Sequence, residues 1–158
     1  MGERARDLVD RFAQASQEII RTVEQCSDAQ WRETTSGERW SVGVVTHHVA
    51  EAHKAIAGLI QTAASGQSPP IMTVEMLDQR NAEHAKRHAN CTRDETLQLL
   101  RQNAALAAAT VRGLSDDQLD RTAQMRMGPI KVQAIIEQIL IGHVQNHLGS
   151  IRATISAR

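Results

Sequence analysis

The sequence predicts an all-α fold, and three observations carry that prediction. Apolar residues recur at three- and four-residue spacing over long stretches, as the buried stripe of an amphipathic helix requires. Alternating β-branched runs are absent, while alanine, leucine, glutamine, glutamate and arginine dominate. Several of the apolar runs are preceded by Ser/Thr-x-x-Glu/Gln boxes, the pattern that caps a helix start. With 158 residues, the chain is expected to form one domain over 1–158 with a core of ordinary size. It shows no repeat, low-complexity tract or inter-domain linker.

The first helix is expected from about Glu3 to Gln25, burying Leu8, Phe12, Ala15, Ile19 and Val23. Ser27-Asp28-Ala29-Gln30 is a capping box opening a short helix with Trp31, and Thr34-Thr35-Ser36-Gly37 breaks it. Ser41 is the N-cap expected for a second long helix reaching about Ala64, with Val45, Val49, Ala52, Ile56 and Leu59 on its apolar face. Ser65 to Pro70 reads as a loop. A third helix, about Thr73 to Asn90, aligns Val74, Leu77, Asn81, Ala85 and His88, with His84 beside them. That mixed face suits either a half-exposed connecting helix or one whose polar residues Asn81, His84 and His88 line a cavity. Thr92-Arg93-Asp94-Glu95 opens a fourth helix with the stripe Leu97, Leu100, Ala104, Ala107 and Val111, stopped at Gly113. Ser115 to Gln118 caps a further short turn, and Arg121 to Met127 reads as irregular. Gly128-Pro129 is expected to start the final helix, since proline costs least in a first turn.

Eighteen Lys and Arg balance eighteen Asp and Glu. Zero net charge argues against nucleic acid or an anionic membrane as the main partner, because both select clustered positive charge. No apolar run approaches the roughly 20 residues that span a bilayer. Met1 to Asp7 lacks the apolar core of a signal peptide, and Cys26 and Cys91 show no metal or redox spacing, so a cytoplasmic protein is expected.

The chemistry concentrates in histidine. His143 and His147 are four residues apart on the final helix, stacked on the face that also carries Val132, Ile136, Ile139, Leu140 and Ile151. Lys131, Gln138, Gln145, Asn146 and Arg152 take the other side. Two imidazoles aimed into an apolar interior need partners. A metal ion would satisfy both; core histidines bonded to backbone carbonyls or water are the alternative. On the second long helix His48 falls at the edge of the apolar face, while His47, turned by about 100°, is expected in solvent. His53 is given no role. His84 and His88 form a rival four-apart pair with less apolar support. Facing helices of a bundle would bring His48, His143 and His147 together. Three neutral imidazoles suit Zn²⁺ with one open position, and nickel, iron, cobalt and manganese accept the same set.

These residues also carry a resemblance. Trp40-Ser41-Val42 followed by His48-Val49, and His143-Val144-Gln145-Asn146-His147-Leu148-Gly149-Ser150-Ile151-Arg152, are similar to the second-helix and closing HxxxH motifs of the DinB-like superfamily. Asn81 resembles an asparagine often found in its maleylpyruvate-isomerase-like branch. The likeness runs from about Leu8 to Ile155. It implies a DinB/YfiT-like four-helix bundle with additional short connecting helices, a homodimer, and a divalent metal (zinc or nickel) on His48, His143 and His147. Characterised relatives include mycothiol- and bacillithiol-dependent transferases and a maleylpyruvate isomerase. Gly149 stands where sulfoxide-synthase relatives carry glutamate, so oxidative chemistry is not expected. The isomerases carry a separate C-terminal domain beyond the bundle, which sets an expectation against that activity for these residues.

The function expected is a metal-dependent thiol S-transferase acting on a small electrophile, with a low-molecular-weight thiol as co-substrate and Asn81, His84 and His88 placing substrate or carrying protons. A non-catalytic helical dimer binding a metal or small molecule, and a hydrolase, are the alternatives. No carboxylate base is evident; Glu51, nearest to His48 in sequence, is expected to point away from its face.

Overall fold

The computed structural model describes residues 2–156; the outermost positions of the expected 1–158 domain lie outside them. Four long helical segments make the bundle: α1 (Glu3–Glu24), α3 (Val42–Ala64), α5 (Arg93–Arg112) and a C-terminal rod ending in α8 (Gly142–Ser156). Short α2 (Asp28–Arg32), α4 (Val74–Arg87) and α6 (Asp116–Asp120) connect them. α5 packs on both α1 and α3, and the C-terminal rod on the same two helices. Inside lie Leu8, Phe12, Ile19, Ile60, Leu100, Leu140 and Ile151, each fully buried. Each large side chain so buried contributes roughly 1.5–3 kcal/mol from surface removed from water.

Local chemistry starts the helices where the sequence places the starts. Ser27 and Ser115 make reciprocal capping boxes with Gln30 and Gln118, and the Ser41, Thr73 and Thr92 hydroxyls accept from the third backbone N–H beyond them. α2 is held to α3 by a close approach. A Cβ on Gly43 would sit 2.6 Å from the Trp31 ring, so only glycine admits that ring, whose Nε1–H donates to the Cys91 carbonyl at 3.1 Å.

The final helix starts later than expected. Thr122–Met125 (β1) and Gly128–Lys131 (β2) form an antiparallel hairpin pairing Met125 with Gly128, and Pro129 sits in the second strand. An edge strand of a two-stranded ribbon tolerates a residue without N–H. Helix follows as α7 (Val132–Ala134), and Ile135–Ile141 then winds as a π-helix before α8. Its buried residues, Ile135, Ile136, Leu140 and Ile141, recur at five-residue spacing rather than four. An α-helical wheel therefore misplaces this segment: Ile139, expected inside, is half-buried, while Ile135 and Ile141 are buried. Among the described residues no helix is long and apolar enough to cross a membrane.

Candidate metal centre

Each histidine near the bundle's open side is aimed by its helix. Ser41 Oγ accepts from the Val44 N–H at 3.1 Å, fixing the phase of α3 and with it the directions of His47 and His48. α8 offers His143 and His147 one turn apart, immediately after the π-helical turns. The result is a convergence of three rings from two helices: His48 Nε2 lies 3.0 Å from His143 Nε2, which lies 3.2 Å from His147 Nε2. Trp40 closes one side edge-on to His48, ring centroids 5.4 Å apart.

The electrostatics leave His48 and His143 as lone-pair donors. Burial, reinforced by the neighbouring His147, lowers His48 to about 4 and His143 to about 3, so both are neutral at physiological pH. His147 Nδ1 sits 2.8 Å from Glu38 Oε1. Burial pushes the Glu38 carboxyl up, but hydrogen bonds from the Ser150 and Thr35 hydroxyls and from His147 outweigh it and hold it below the usual range. A carboxylate only accepts, so His147 Nδ1 carries the proton toward Glu38, which leaves Nε2 as the atom that faces the other rings and can bind a cation. Hydrogen bonding among neutral rings could serve one of the two short contacts at a time. A shared cation would satisfy all three. The spacing fits as well: ligands on a tetrahedral Zn²⁺ at about 2.0–2.1 Å stand about 3.3 Å apart. His48, His143 and His147 thus offer an N₃ donor set with an outer-shell carboxylate on one ring.

Beside this centre lies a cavity of about 320 Å³, lined by His48, His143, His84, Asn81, Arg80 and Glu51 among others. Two of the expected cavity residues, Asn81 and His84, are there. His88 is not; it stacks on His47 with ring centroids 3.8 Å apart. Glu51, expected to point away from His48, shares the cavity wall with it, as does Glu83.

His47 departs furthest from its expectation. It is 8% exposed rather than in solvent, with Nδ1 2.9 Å from His84 Nε2. Its wheel position does face away from the bundle core, but α4 crosses that face and covers it. Burial, with His88 second, lowers its pKa, and burial lowers His84 to about 4. Glu38, like Arg80, Glu83 and Arg87 on the cavity wall, carries no motif in the sequence. It lies in the loop before Trp40, 109 positions from His147, and no helical periodicity reaches it. His53 is fully buried, edge-on to Phe12 at 5.1 Å, with neither ring nitrogen hydrogen-bonded.

Comparison with known proteins adds a family and a fold. The family model described as mycothiol maleylpyruvate isomerase N-terminal domain matches residues 12–151. No curated protein matches. Among solved structures, YfiT from Bacillus subtilis, described as a probable metal-dependent hydrolase with an unusual four-helix bundle topology, superposes with a TM-score of 0.81. It shares 18% identity, over 99% of this chain and 89% of that one. The mycothiol-dependent maleylpyruvate isomerase superposes with a TM-score of 0.75 at 16% identity, over 96% of this chain but only 63% of the isomerase. At these identities the likeness shows the fold, a DinB/YfiT-like helical bundle.

Proposed function

The chain belongs to the mycothiol maleylpyruvate isomerase N-terminal domain family, and from that premise we propose that it is a divalent-metal-dependent enzyme, a thiol S-transferase acting on a small electrophile. The observation that carries this reading is the meeting of the His48, His143 and His147 Nε2 atoms beside a cavity of about 320 Å³. These residues would hold the ion; an all-imidazole set accepts zinc and nickel, the metals the family resemblance implies, along with iron and cobalt. Such an ion supplies Lewis acidity, lowering the pKa of a coordinated thiol or water.

The chain's own residues do the rest. Glu38 fixes the tautomer and orientation of His147, and Ser150 and Thr35 fix Glu38 in turn. Arg80 and Arg87 bring positive charge to the cavity wall, suited to an anionic group on either substrate. Asn81 offers both an amide donor and an acceptor for orientation, and Leu77, Ala52 and Ile56 give an apolar side that limits water. His88, outside the cavity, touches neither substrate. The co-substrate is a low-molecular-weight thiol; mycothiol, on which the structurally similar isomerase depends, is the first to test. The assembly proposed is a homodimer.

The test is a rate. Zinc- or nickel-loaded protein is assayed with mycothiol, bacillithiol and glutathione against a panel of small electrophiles. The reading expects thiol-dependent adduct formation that falls to background in His48→Ala. No acceleration by any thiol over that variant would overturn it. A hydrolase is the second reading, favoured by the Glu51 and Glu83 carboxylates on the cavity wall, either of which could take a proton from water. Turnover of ester or amide substrates without added thiol would select it.

A further inference from the structure

We propose that His47, Glu51, His84 and His88 form a second divalent-metal site, separate from the three-histidine centre, which fastens α4 onto α3. It stands independently of the transferase reading. The four side chains each present one donor atom, all within 4.8 Å of one another. Two come from one turn of α3, four residues apart on one helix face, and two from the end of α4, His84 in its last turn and His88 as its C-cap.

One hydrogen bond joins two of the rings, and the carboxylate stands apart from all three. His47 Nδ1 and His84 Nε2 are 2.9 Å apart. The Glu51 oxygens stand 3.4 Å from His88 Nε2, 3.6 Å from His84 Nε2 and 4.0 Å from His47 Nδ1. The last two separations are too long for hydrogen bonds, and the first is at best a weak one. One carboxylate thus faces three imidazoles without a good bond to any of them. The four donor atoms all lie within 4.8 Å of one another, the His47–His84 pair at 2.9 Å, a spread that surrounds the edge of about 3.3 Å expected of a tetrahedron around Zn²⁺. Three imidazoles and a carboxylate suit Zn²⁺ and, by softness, Ni²⁺ or Co²⁺ rather than Ca²⁺ or Mg²⁺. Four protein donors close the shell, which is the mark of a structural site.

The packing of α4 says what such a site would do. His84 is its one buried residue, while Val74 and Met76 are 48% and 51% exposed. Apolar burial therefore holds this helix weakly, yet it carries Leu77, Arg80 and Asn81 on the wall of the cavity. A metal clamp at His84 and His88 would set where that wall stands.

Chelator-treated full-length protein is titrated with Zn²⁺ alone, bound metal is counted by elemental analysis, and amide hydrogen exchange of α4 is followed in parallel. Wild type is expected to bind two equivalents, and His88→Ala and Glu51→Gln one each. Both substitutions are at partly exposed positions, and circular dichroism checks that helix content is kept. Zn²⁺ is expected to slow α4 exchange, and tryptic cleavage after Arg80 and Arg87, in wild type and in His143→Ala but not in His88→Ala. Equal stoichiometry in wild type and His88→Ala, or α4 exchange indifferent to Zn²⁺, would overturn the proposal. Loss of one equivalent in His88→Ala with none lost in His143→Ala would uphold this site while removing the three-histidine centre.

Discussion

Two histidine clusters leave α3 from adjacent residues, and they differ in what holds their helices together. His48 faces α8, whose Val144, Leu148 and Ile151 are buried to 3% exposure or less. Apolar packing sets that spacing, so the three rings are held close with Glu38 braced behind one of them. His47 faces α4, whose one buried residue is His84. There the polar cluster is itself most of the contact. A ligand set between well-packed helices is a preorganised site that the fold supports. One between weakly packed helices is a place where the ligand would support the fold.

The comparison breaks first at the centre itself. His143→Ala is expected to lose the metal of the three-histidine site and all thiol-dependent turnover, whereas His47→Ala keeps that metal; elemental analysis of each change made in a His88→Ala background, which lacks the second site, decides. Leu148→Ala, which removes packing under the first cluster, is expected to cost about 2–5 kcal/mol of stability in urea unfolding. A loss below about 1 kcal/mol would mean that packing does not hold α8 in the way argued.

Acid sharpens the contrast from the core side of α3. Burial lowers His53 to about 4 in the folded chain, against about 6.5 unfolded, so the unfolded state takes up the proton first. The stability at stake is fully present above pH 6.5 and drains as pH falls towards 4, up to roughly 3 kcal/mol from this ring. His53→Leu is expected to lose less stability than wild type between pH 7 and 4.5 in paired denaturant titrations. A parallel decline in both proteins would assign the loss elsewhere. Glu38→Ala should leave the metal stoichiometry of the first site intact but weaken it about 10–100-fold, read by competition with a chromophoric chelator. Unchanged affinity would show that the Glu38–His147 bond does not tune the site. The smallest effect belongs to α4: Met76→Ala is expected within about 0.5 kcal/mol of wild type, and a larger cost would mean that α4 packs more firmly than its exposure indicates.

The legible part of the site was the part written in local spacing. His143 and His147 share a face because they are four residues apart, and His48 is fixed relative to Ser41 by the same helical period. The poor apolar stripe of α4 left a connecting and a cavity-lining helix both open, and Asn81 and His84 lie on the cavity wall. His88 sits on that same stripe and lies outside the cavity, because a wheel gives direction about one axis and says nothing of which neighbour occupies it.

What the sequence by itself determined was everything that short-range physics controls. Helix starts follow from hydroxyls at Ser27, Ser41, Thr73, Thr92 and Ser115 accepting nearby N–H groups, and the α1 stripe from Leu8 to Val23 follows from a 3.6-residue period. Only the tertiary structure decided the burial of His47 beneath α4, the contact of Glu38 with His147 across 109 residues, and the π-helical turns of Ile135–Ile141. Those outcomes depend on which surfaces meet when the helices pack. The free energy that selects among such meetings comes from the whole core, and no window of neighbouring residues contains it.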